Sequence, residues 1–262
     1  MHIPILTYHS IDDSGSLLSV SSAAFGEHVA RLQAAGYTAV PLSDALGRLA
    51  KPESPGERPV AITFDDGYAT VYEHALPVLE SRGWRATVFV VSGRIGSDNI
   101  WPGQAASVAP ARLLSWDQLR ALNRAGWEVG AHSQTHADLT RLEDGPLAEE
   151  VSGAKAALEG GLREEVRAFA YPYGAYDRRV RASVEAVYPA ACTTDLGIAS
   201  DVSDPYTLER IDMWYFSRSP ASHLFLTRWM PPYLALRRAG REVRSVLVRG
   251  LGRPRVSRSR AV

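Results

Sequence analysis

The sequence is poor in cysteine and in long apolar runs. Its 262 residues include one cysteine, Cys192, which can form no intramolecular disulfide and cannot by itself build a thiolate metal cluster. Purely apolar runs such as Val88–Val91 fall far short of the roughly 20 residues that a membrane helix needs. Residues 1–6 lack the positive segment and the long apolar stretch of a secretory signal. We therefore expect a cytoplasmic or membrane-peripheral protein without intramolecular disulfide bonds.

The chain also lacks a net charge, because 29 basic residues offset 29 acidic ones. These charges are distributed unevenly along the chain. Residues 221–262 contain ten arginines and one acid, Glu242, which gives this tail a formal charge of +9 and leaves −9 on residues 1–220. Such asymmetry is typical of an interaction tail on an acidic body. An acidic body would repel phosphate, so we exclude a uniformly basic nucleic-acid binder and expect no nucleic-acid partner.

The patterning favours a single α/β domain, in which short apolar runs alternate with amphipathic stretches. Buried strands are predicted at Ile3–Tyr8, Val60–Phe64, Ala86–Val91, Glu128–Ala131, Ala168–Tyr171 and Ala190–Thr193. Helices are predicted at Ala23–Ala35, Tyr68–Ser81, Ser115–Arg124, Leu147–Leu158 and Arg178–Val187. This alternation predicts a barrel-like α/β domain over about residues 1–215.

Two loops interrupt the pattern. Pro52–Pro59 is rich in proline, glycine and glutamate and is predicted to be a surface connection. Gly93–Pro110 is long and irregular, which in a compact domain indicates either a binding loop or local disorder.

A first candidate site follows the strand that ends at Phe64. Asp65 and Asp66 are adjacent carboxylates at the end of this apolar strand, where parallel α/β folds place their active-site groups. Neighbouring side chains on a strand diverge, so one aspartate can face a metal while the other reaches a water beside it. The structural alternative is that one aspartate caps the following helix from an Asp-Asp-Gly turn.

A second candidate site follows the strand Glu128–Ala131. His132 and His136 are four residues apart, and on a helical turn they would project from one side and bind one cation. Ser133 and Gln134 stand where a zinc-protease helix would carry its glutamate, so a thermolysin-like mechanism is not supported.

Together the two segments supply two histidines and one carboxylate, which leave positions on a metal ion for water and substrate. The second carboxylate then provides a general base. Non-haem iron oxygenases use the same ligand set. They are all-β jelly rolls, however, and usually carry a histidine and an acid two residues apart in one strand.

Three segments resemble the motifs of the polysaccharide deacetylases, also called the NodB-homology or carbohydrate esterase family 4 proteins. They are Thr63–Gly67, His132–His136 and Phe169–Gly174. Thr7–Ile11 and the later segment Asp204–Tyr206, with Arg210 and Ile211, are similar to the branch that contains poly-N-acetylglucosamine deacetylases. The similarity spans roughly residues 2–215. It implies a distorted (β/α) barrel of seven or eight strands, which we assign to residues 1–220. From charge and residue spacing, we expect residues 221–262 to form a separate basic tail, partly helical or disordered.

The resemblance also implies roles for individual residues. Asp66, His132 and His136 would hold a divalent metal, with Zn²⁺ expected and Co²⁺ or Ni²⁺ as alternatives. Asp65 would be the general base that takes a proton from the attacking water. The backbone N–H of Tyr173, beside Pro172, would help stabilise the oxyanion.

Two departures from the family pattern change this assignment. Many members carry an arginine in the third motif that orients the catalytic aspartate, but Ala170 stands there in this chain. Arg210 is a candidate to replace it. Many members also take their general acid from a late Leu-x-x-His, which Leu208–Asp212 lacks. The branch resembled here uses the N-terminal histidine, which makes His9 the predicted general acid for the leaving amine.

Aromatic residues near these motifs are candidates to stack on sugar rings, namely Tyr8, Trp101, Tyr173 and Trp214. Aromatic residues of α/β proteins more often belong to the core. His28 and His74 lie on predicted helices and are expected to be partly exposed.

The tail mixes apolar residues and arginines at roughly helical spacing, with a predicted break at Pro231-Pro232. The predicted apolar face comprises Tyr233, Leu236, Val243, Val246, Leu247 and Leu251, and the opposite face carries Arg237, Arg241, Arg244 and Arg249. One interpretation is a helix packed on the barrel, followed by a disordered end. The other is an interfacial helix that makes peripheral contact with an anionic membrane or an acidic polymer.

The function that we expect is metal-dependent removal of acetyl groups, N-acetyl above all, from a polysaccharide or glycoconjugate. A metal-containing carbohydrate-binding protein without turnover is the alternative, which the missing third-motif arginine supports. A glycosidase is disfavoured, because carboxyls on adjacent residues cannot readily flank a glycosidic bond.

Overall fold

A computed structural model describes residues 2–50, 56, 58–105, 107–218 and 220–250, without the side chains of residues 50 and 242–250. Eight strands of the described chain form one sheet, in which every pairing is parallel. They are β1 (Ile5–Tyr8), β2 (Tyr37–Val40), β3 (Arg58–Phe64), β4 (Thr87–Val90), β5 (Glu128–Ala131), β6 (Ala168–Ala170), β7 (Ala190–Leu196) and β8 (Leu208–Asp212).

Seven of these strands close into a barrel. The ring runs β1, β8, β7, β6, β5, β4 and β3, and β3 pairs back to β1. The strand β2 pairs with the first half of β3. Because helices cover the outside and side chains fill the interior, strands such as β1 and β4 are buried along their whole length. The predicted distorted (β/α) barrel of seven or eight strands is confirmed.

The helices of the described chain are α1 (Ser22–Ala34), α2 (Leu42–Ala50), α3 (Leu76–Glu80), α4 (Trp116–Arg124), α5 (Asp144–Ala148), α6 (Ala154–Leu162), α7 (Arg178–Glu185) and α8 (Met230–Gly250). Ser115 caps α4 through a capping box with Gln118, so the helix begins at Trp116. The helix predicted at Tyr68–Ser81 is present over residues 69–80, and it contains a π-helical turn, Val71–Ala75, just before α3. Another π-helical turn, Glu149–Gly153, joins α5 to α6.

The sequence pattern missed β2, α2 and β8. The strand β8 was hidden by three charged residues in five positions, of which Arg210 is only 2% exposed because it points into the protein interior. Two short pairings lie outside the barrel sheet: His2–Ile3 with Ala199–Ser200, and Ser10–Ile11 with Ser19–Val20. Most of the predicted loop Pro52–Pro59 lies outside the described residues.

The described part of the tail contains a helix, α8, whose N-terminal part packs on the barrel. Pro231 and Pro232 lie in the first turn of α8, where proline is tolerated, so they begin the helix and do not break it. Met230 and Leu234 are buried in the main core, whereas Leu236 is 69% exposed, which corrects the predicted apolar face. The side chains of Val243, Val246 and Leu247, and all of Leu251, lie outside the described residues.

The polar side of α8 also differs from the prediction. Arg241 was expected to face away from the barrel, but its guanidinium contacts the ends of β7 and β8. Within the residues described, no helix combines the length and the apolar character that crossing a bilayer requires.

Candidate active site

The two aspartates lie where β3 ends. The Asp65 N–H donates to the Tyr8 carbonyl oxygen at 2.9 Å, which continues the pairing between β3 and β1 by one residue. Asp66 then takes a left-handed conformation with φ 70°, and Gly67 follows with φ 77°. This abrupt change of direction separates the two carboxylates. Both side chains are buried, Asp65 at 2% and Asp66 at 3% exposure.

The two histidines lie on a loop after β5, not on the helical turn that we predicted. Ser133 and His136 have φ angles of 61° and 62°, which no α-helix contains. The loop instead closes on itself, because the His136 N–H donates to Ser133 Oγ at 3.0 Å. This turn brings the two imidazole rings to a centroid distance of 4.9 Å.

Asp66, His132 and His136 converge on one point. Asp66 Oδ1 lies 3.3 Å from Nε2 of each histidine. Their candidate ligand atoms all lie within 4.8 Å of one another. His132 Nδ1 lies 2.7 Å from the Ala170 carbonyl oxygen, which can only accept, so Nδ1 carries the hydrogen and Nε2 presents its lone pair. Among the described residues, buried Asp66 Oδ1 has no hydrogen-bond partner.

This donor set fits a divalent cation. An orphaned carboxylate oxygen is costly to bury, and a cation bound between it and two imidazole nitrogens would satisfy it. The hydrogen bond from His132 Nδ1 to a backbone carbonyl is the outer support that metal-bound histidines use. The described residues therefore supply three protein ligands, as catalytic zinc sites do.

Asp65 is held by Arg210 through two parallel hydrogen bonds. Arg210 Nη1 lies 2.8 Å from Asp65 Oδ1, and Nη2 lies 2.7 Å from Oδ2. Arg210 Nε donates to the Thr193 carbonyl oxygen at 2.9 Å, and Nη1 also reaches Thr63 Oγ1 at 3.2 Å. Both charged side chains are almost fully buried.

The pKa directions follow from these contacts. Burial alone would raise the pKa of Asp65, but the charge and hydrogen bonds of Arg210 outweigh it and hold that pKa below its usual value. Burial acts in the same way on Asp66, yet the two imidazoles beside it hold its pKa well below the usual value. Both carboxyls are therefore ionised at neutral pH.

A cavity of about 370 Å³ opens over these groups. His9, Asp65, Asp66, His132 and His136 all line it, so the predicted general acid, base and metal ligands share one space. The loop predicted over Gly93–Pro110 contributes Trp101, Gly103, Gln104, Ala105 and Val108 to the wall. The loop is thus part of the cavity, as the binding-loop interpretation proposed.

Aromatic rings enclose His136. The Trp101 ring stacks on it at a centroid distance of 4.4 Å, and the Tyr173 ring meets it edge-on at 4.6 Å. Tyr173 is 43% exposed and has a left-handed φ of 60°, which turns the chain at the third motif. Burial, together with the charge of Asp66, raises the pKa of its phenol to about 12. A Cβ at the following Gly174 would collide with the Thr194 side chain, so this turn needs glycine.

Other predicted contacts with a sugar are not borne out by the geometry. Tyr8 is 1% exposed, and its ring packs against Phe25 and Phe64 in the core, so its prediction as a stacking surface is wrong. Neither Pro172, which is buried, nor Trp214, which is half-buried under the Arg218 guanidinium, lines the cavity.

The expected exposure of His28 is also wrong. It is 3% exposed, and its Nδ1 lies 3.2 Å from the Tyr8 hydroxyl. His74 is exposed, as expected.

Glu150, which was not predicted as a site residue, holds the histidine loop. Its Oε2 accepts the N–H groups of Gln134 and Thr135 at 2.9 and 3.0 Å, and its Oε1 accepts the Thr135 hydroxyl at 2.6 Å. The signal was present in the sequence. Glu150 follows buried Leu147 by three residues and precedes buried Val151, so it is a carboxylate on the apolar side of a helical segment.

The fold and the site define a parallel α/β-barrel protein with a candidate metal centre at the carboxyl ends of its strands. A family model described as polysaccharide deacetylase matches residues 53–188. YxkH of Bacillus subtilis strain 168 is 30% identical over 210 residues, which are 80% of this chain and 70% of that protein. The chain therefore belongs to the polysaccharide deacetylase family, as the motifs predicted.

Two further relatives are similar to this chain. The Streptococcus pyogenes deacetylase PplD, solved in complex with acetate, superposes with a TM-score of 0.70 at 25% identity, covering 81% of this chain and 92% of that one. The poly-beta-1,6-N-acetyl-D-glucosamine N-deacetylase of Staphylococcus aureus strain MSSA476 is 24% identical over 165 residues, which are 60% of this chain. The chain spans 54% of the length of that relative.

Proposed function

We propose that this protein is a metal-dependent deacetylase that hydrolyses N-acetyl groups of a polysaccharide or glycoconjugate. The observation that carries the proposal is the convergence of a three-ligand cluster and an arginine-held aspartate on one cavity. The Staphylococcus aureus relative, by its name an N-deacetylase, favours N-acetyl over O-acetyl. The excess of acid in residues 1–220 favours a neutral sugar over a polyanion.

Asp66, His132 and His136 would hold the cation, and Zn²⁺ suits this set, with Co²⁺ or Ni²⁺ as alternatives. A bound divalent ion supplies positive charge that polarises the acetyl carbonyl and lowers the pKa of water. Ala170 contributes its carbonyl oxygen, which fixes the tautomer of His132.

Asp65 is the proposed general base. Its carboxylate is ionised, and Arg210 occupies one direction on each of its oxygens, which leaves the other lone pairs free to accept a proton from water in the cavity. Arg210 restores the orienting contact that Ala170 cannot make. This pairing weakens the hypothesis of a carbohydrate-binding protein without turnover, because that hypothesis rested mainly on the missing arginine.

His9 is the proposed general acid, since it lines the same cavity as Asp65 and an imidazole can donate a proton near neutral pH. The backbone N–H of Tyr173 is the proposed oxyanion donor. The left-handed turn at Tyr173 and Gly174 gives this peptide a direction that an extended or right-handed helical chain would not have.

The test is acetate release from a chitooligosaccharide, a β-1,6-linked N-acetylglucosamine oligomer and an O-acetylated ester. Protein stripped with a chelator and reloaded with Zn²⁺ or Co²⁺ should regain activity. Asp65→Asn should abolish turnover while metal still binds, and Asp117→Asn, at an exposed site, is the matched control. Metal binding with no acetate from any of these substrates would favour the binding protein. No metal binding at all would remove both hypotheses.

Contact of the tail with an anionic membrane stays a prediction. Arg228 stacks on Trp229, which is 57% exposed, whereas Arg238 and Arg241 are engaged by the barrel. If the contact exists, the protein should bind phosphatidylserine vesicles, and the binding should weaken with salt. No binding at low ionic strength would rule it out.

A further inference from the structure

The strand β7 is irregular beside the proposed active site. Its register with β8 places Cys192 opposite Leu208 and Leu196 opposite Arg210. The segment of β7 between these two pairs therefore contains more residues than the facing segment of β8. Bulges of this kind interrupt the ladder, free backbone groups from their strand partners and recur next to active sites. The irregular stretch includes Thr193 and Thr194.

Two arginines donate hydrogen bonds to backbone carbonyl oxygens of this bulge. Arg210 Nε donates to the Thr193 carbonyl oxygen at 2.9 Å, and Arg241 Nη1 donates to the Thr194 carbonyl oxygen at 2.7 Å. Arg210 comes from the adjacent strand, but Arg241 comes from α8. Consecutive carbonyl groups of β7 are therefore held from two different parts of the chain.

The second residue of the bulge borders the catalytic cavity. Thr194 lines the 370 Å³ cavity together with Asp65 and Tyr173. Its side chain and backbone N lie against Gly174 so closely that a Cβ there has no room. A shift of Thr194 would therefore press on the turn that carries the Tyr173 peptide.

Arg241 also fixes the end of β8. Its Nη2 lies 2.9 Å from Asp212 Oδ2, and its Nε donates to the Tyr215 hydroxyl at 2.8 Å. Asp212 Oδ1 in turn accepts the Trp214 N–H at 3.1 Å. All three guanidinium nitrogens of Arg241 are thus bonded, and together they tie α8 to β7 and to the turn after β8.

A second cavity, of about 240 Å³, lies among these groups. It is lined by Thr7, His9, Thr194, Arg210, Asp212 and Arg241. His9 and Thr194 line both cavities, whereas Arg241 lines only the smaller one. Arg241 therefore sits behind the residues that face the proposed substrate and does not itself line their cavity.

We infer that Arg241 is a positioning residue of the proposed active site. By holding the Thr194 carbonyl and the Asp212 carboxylate, it keeps the wall between His9 and the Tyr173 turn in its working geometry. This role rests on the proposed deacetylase function. It also assigns the C-terminal helix a part in catalysis, although α8 lies outside residues 53–188, which match the family.

The chain offers a matched control on the same helix. Arg238 also docks α8 on the barrel, since its Nε donates to the Leu196 carbonyl oxygen at 3.0 Å and its Nη2 lies 2.6 Å from Glu209 Oε1. It lines neither of the two cavities that His9 borders. A loss caused only by weaker docking of the helix should appear in both variants.

The experiment compares Arg241→Met, Arg241→Lys and Arg238→Met with the wild type. Arg241→Met should lower kcat about tenfold or more with KM changed less than about twofold, because small misplacements of catalytic groups are costly. Arg241→Lys should recover part of kcat, and Arg238→Met should leave kcat near wild type. Equal losses of kcat and Tm in the two methionine variants would overturn the inference, as would wild-type kcat in Arg241→Met.

Hydrogen exchange supplies a readout that needs no turnover. Arg241→Met should speed amide exchange in peptides that cover residues 171–176 and 193–195, and Arg238→Met should not. If the wild type releases no acetate, the proposed function fails, while this exchange difference still tests the positioning role. Equal exchange in the two variants would then reject it.

Discussion

Arg210 and Asp65 form a two-point ion pair, with N–O distances of 2.8 and 2.7 Å, between strands β8 and β3. In the ring these strands are not neighbours, since β1 lies between them. The guanidinium therefore reaches across the barrel interior to fix the proposed base, and the carbonyl of Thr193 and the hydroxyl of Thr63 hold it on the way.

Replacing Arg210 by methionine should be costly for both stability and activity. The change leaves the Asp65 carboxylate buried without its partner, which we expect to lower the free energy of unfolding by about 3–5 kcal/mol. Loss of the oriented base should reduce kcat by about 100-fold or more. Urea denaturation and acetate release measure the two effects. The control, Arg181→Met, breaks exposed pairs and should cost about 1 kcal/mol or less.

A double variant tests whether the pair acts as a unit. Adding Arg210→Met to Asp65→Asn should cost less stability than Arg210→Met alone, because the neutral amide no longer needs a buried counter-charge. Additive losses of unfolding free energy would contradict the coupling.

Glu150→Gln should weaken metal binding although it changes none of the proposed metal ligands. The amide keeps one acceptor oxygen but cannot replace both carboxylate oxygens, so the loop that carries His136 loses support. Outer supports of this kind change metal affinity by about 10- to 100-fold, which competition with a chelating dye would measure for Zn²⁺. Glu149→Gln alters the adjacent, exposed carboxylate and should keep wild-type affinity. The same affinity in both variants would disprove the role of Glu150.

Gly174→Ala should disturb the third motif. Gly174 has a φ of 65°, and a Cβ there meets the side chain and backbone of Thr194, so we expect a loss of about 1 kcal/mol or more together with lower kcat. Gly160→Ala provides the contrast, since a Cβ on that helical glycine would meet nothing within 4 Å, and the variant should gain about 0.5–1 kcal/mol in the free energy of unfolding. Thermal unfolding of the two variants should therefore move in opposite directions.

The buried His28 should make stability depend on pH. Burial lowers its pKa to about 4, whereas the unfolded chain titrates near 6.5. Between these values the unfolded state binds a proton that the folded state does not, so the free energy of unfolding falls as pH falls. The contribution of neutral His28 to stability is complete above about pH 6.5. Below that pH, the free energy of unfolding falls by at most about 1.4 kcal/mol per pH unit through this group.

Urea denaturation at about pH 7.5 and about pH 5, in the presence of a chelator, would measure this slope. His28→Gln should show a smaller difference between the two pH values than the wild type, while the exposed His74→Gln should match the wild type. An unchanged difference in His28→Gln would assign the acid sensitivity to other groups.

Local patterns were enough to predict the barrel and to gather Asp65, Asp66, His132 and His136, because each group follows a short apolar strand directly. The residues that hold these groups were harder to find. Arg210 was only a candidate, and Arg241 was assigned to the wrong side of its helix, since their contacts join residues far apart in the chain. Glu150 was overlooked although it lies on the apolar side of a helical segment. Tyr8 and His28 were misassigned for a related reason: the Tyr8 hydroxyl pairs with His28 Nδ1 inside the core, and His28 Nε2 pairs with the Phe216 carbonyl oxygen.

The pairing of β1 with both β3 and β8 has a consequence for synthesis on the ribosome. Leu6 and Thr7 lie in register with Ile211 and Asp212, near the far end of the barrel sequence. Until that segment has left the exit tunnel, β1 and β7 each keep one unpaired edge, and Asp65 lacks its counter-charge, Arg210. A nascent chain must therefore wait for its last barrel strand before the catalytic interior can form, a long interval during which its open edges need protection from other chains.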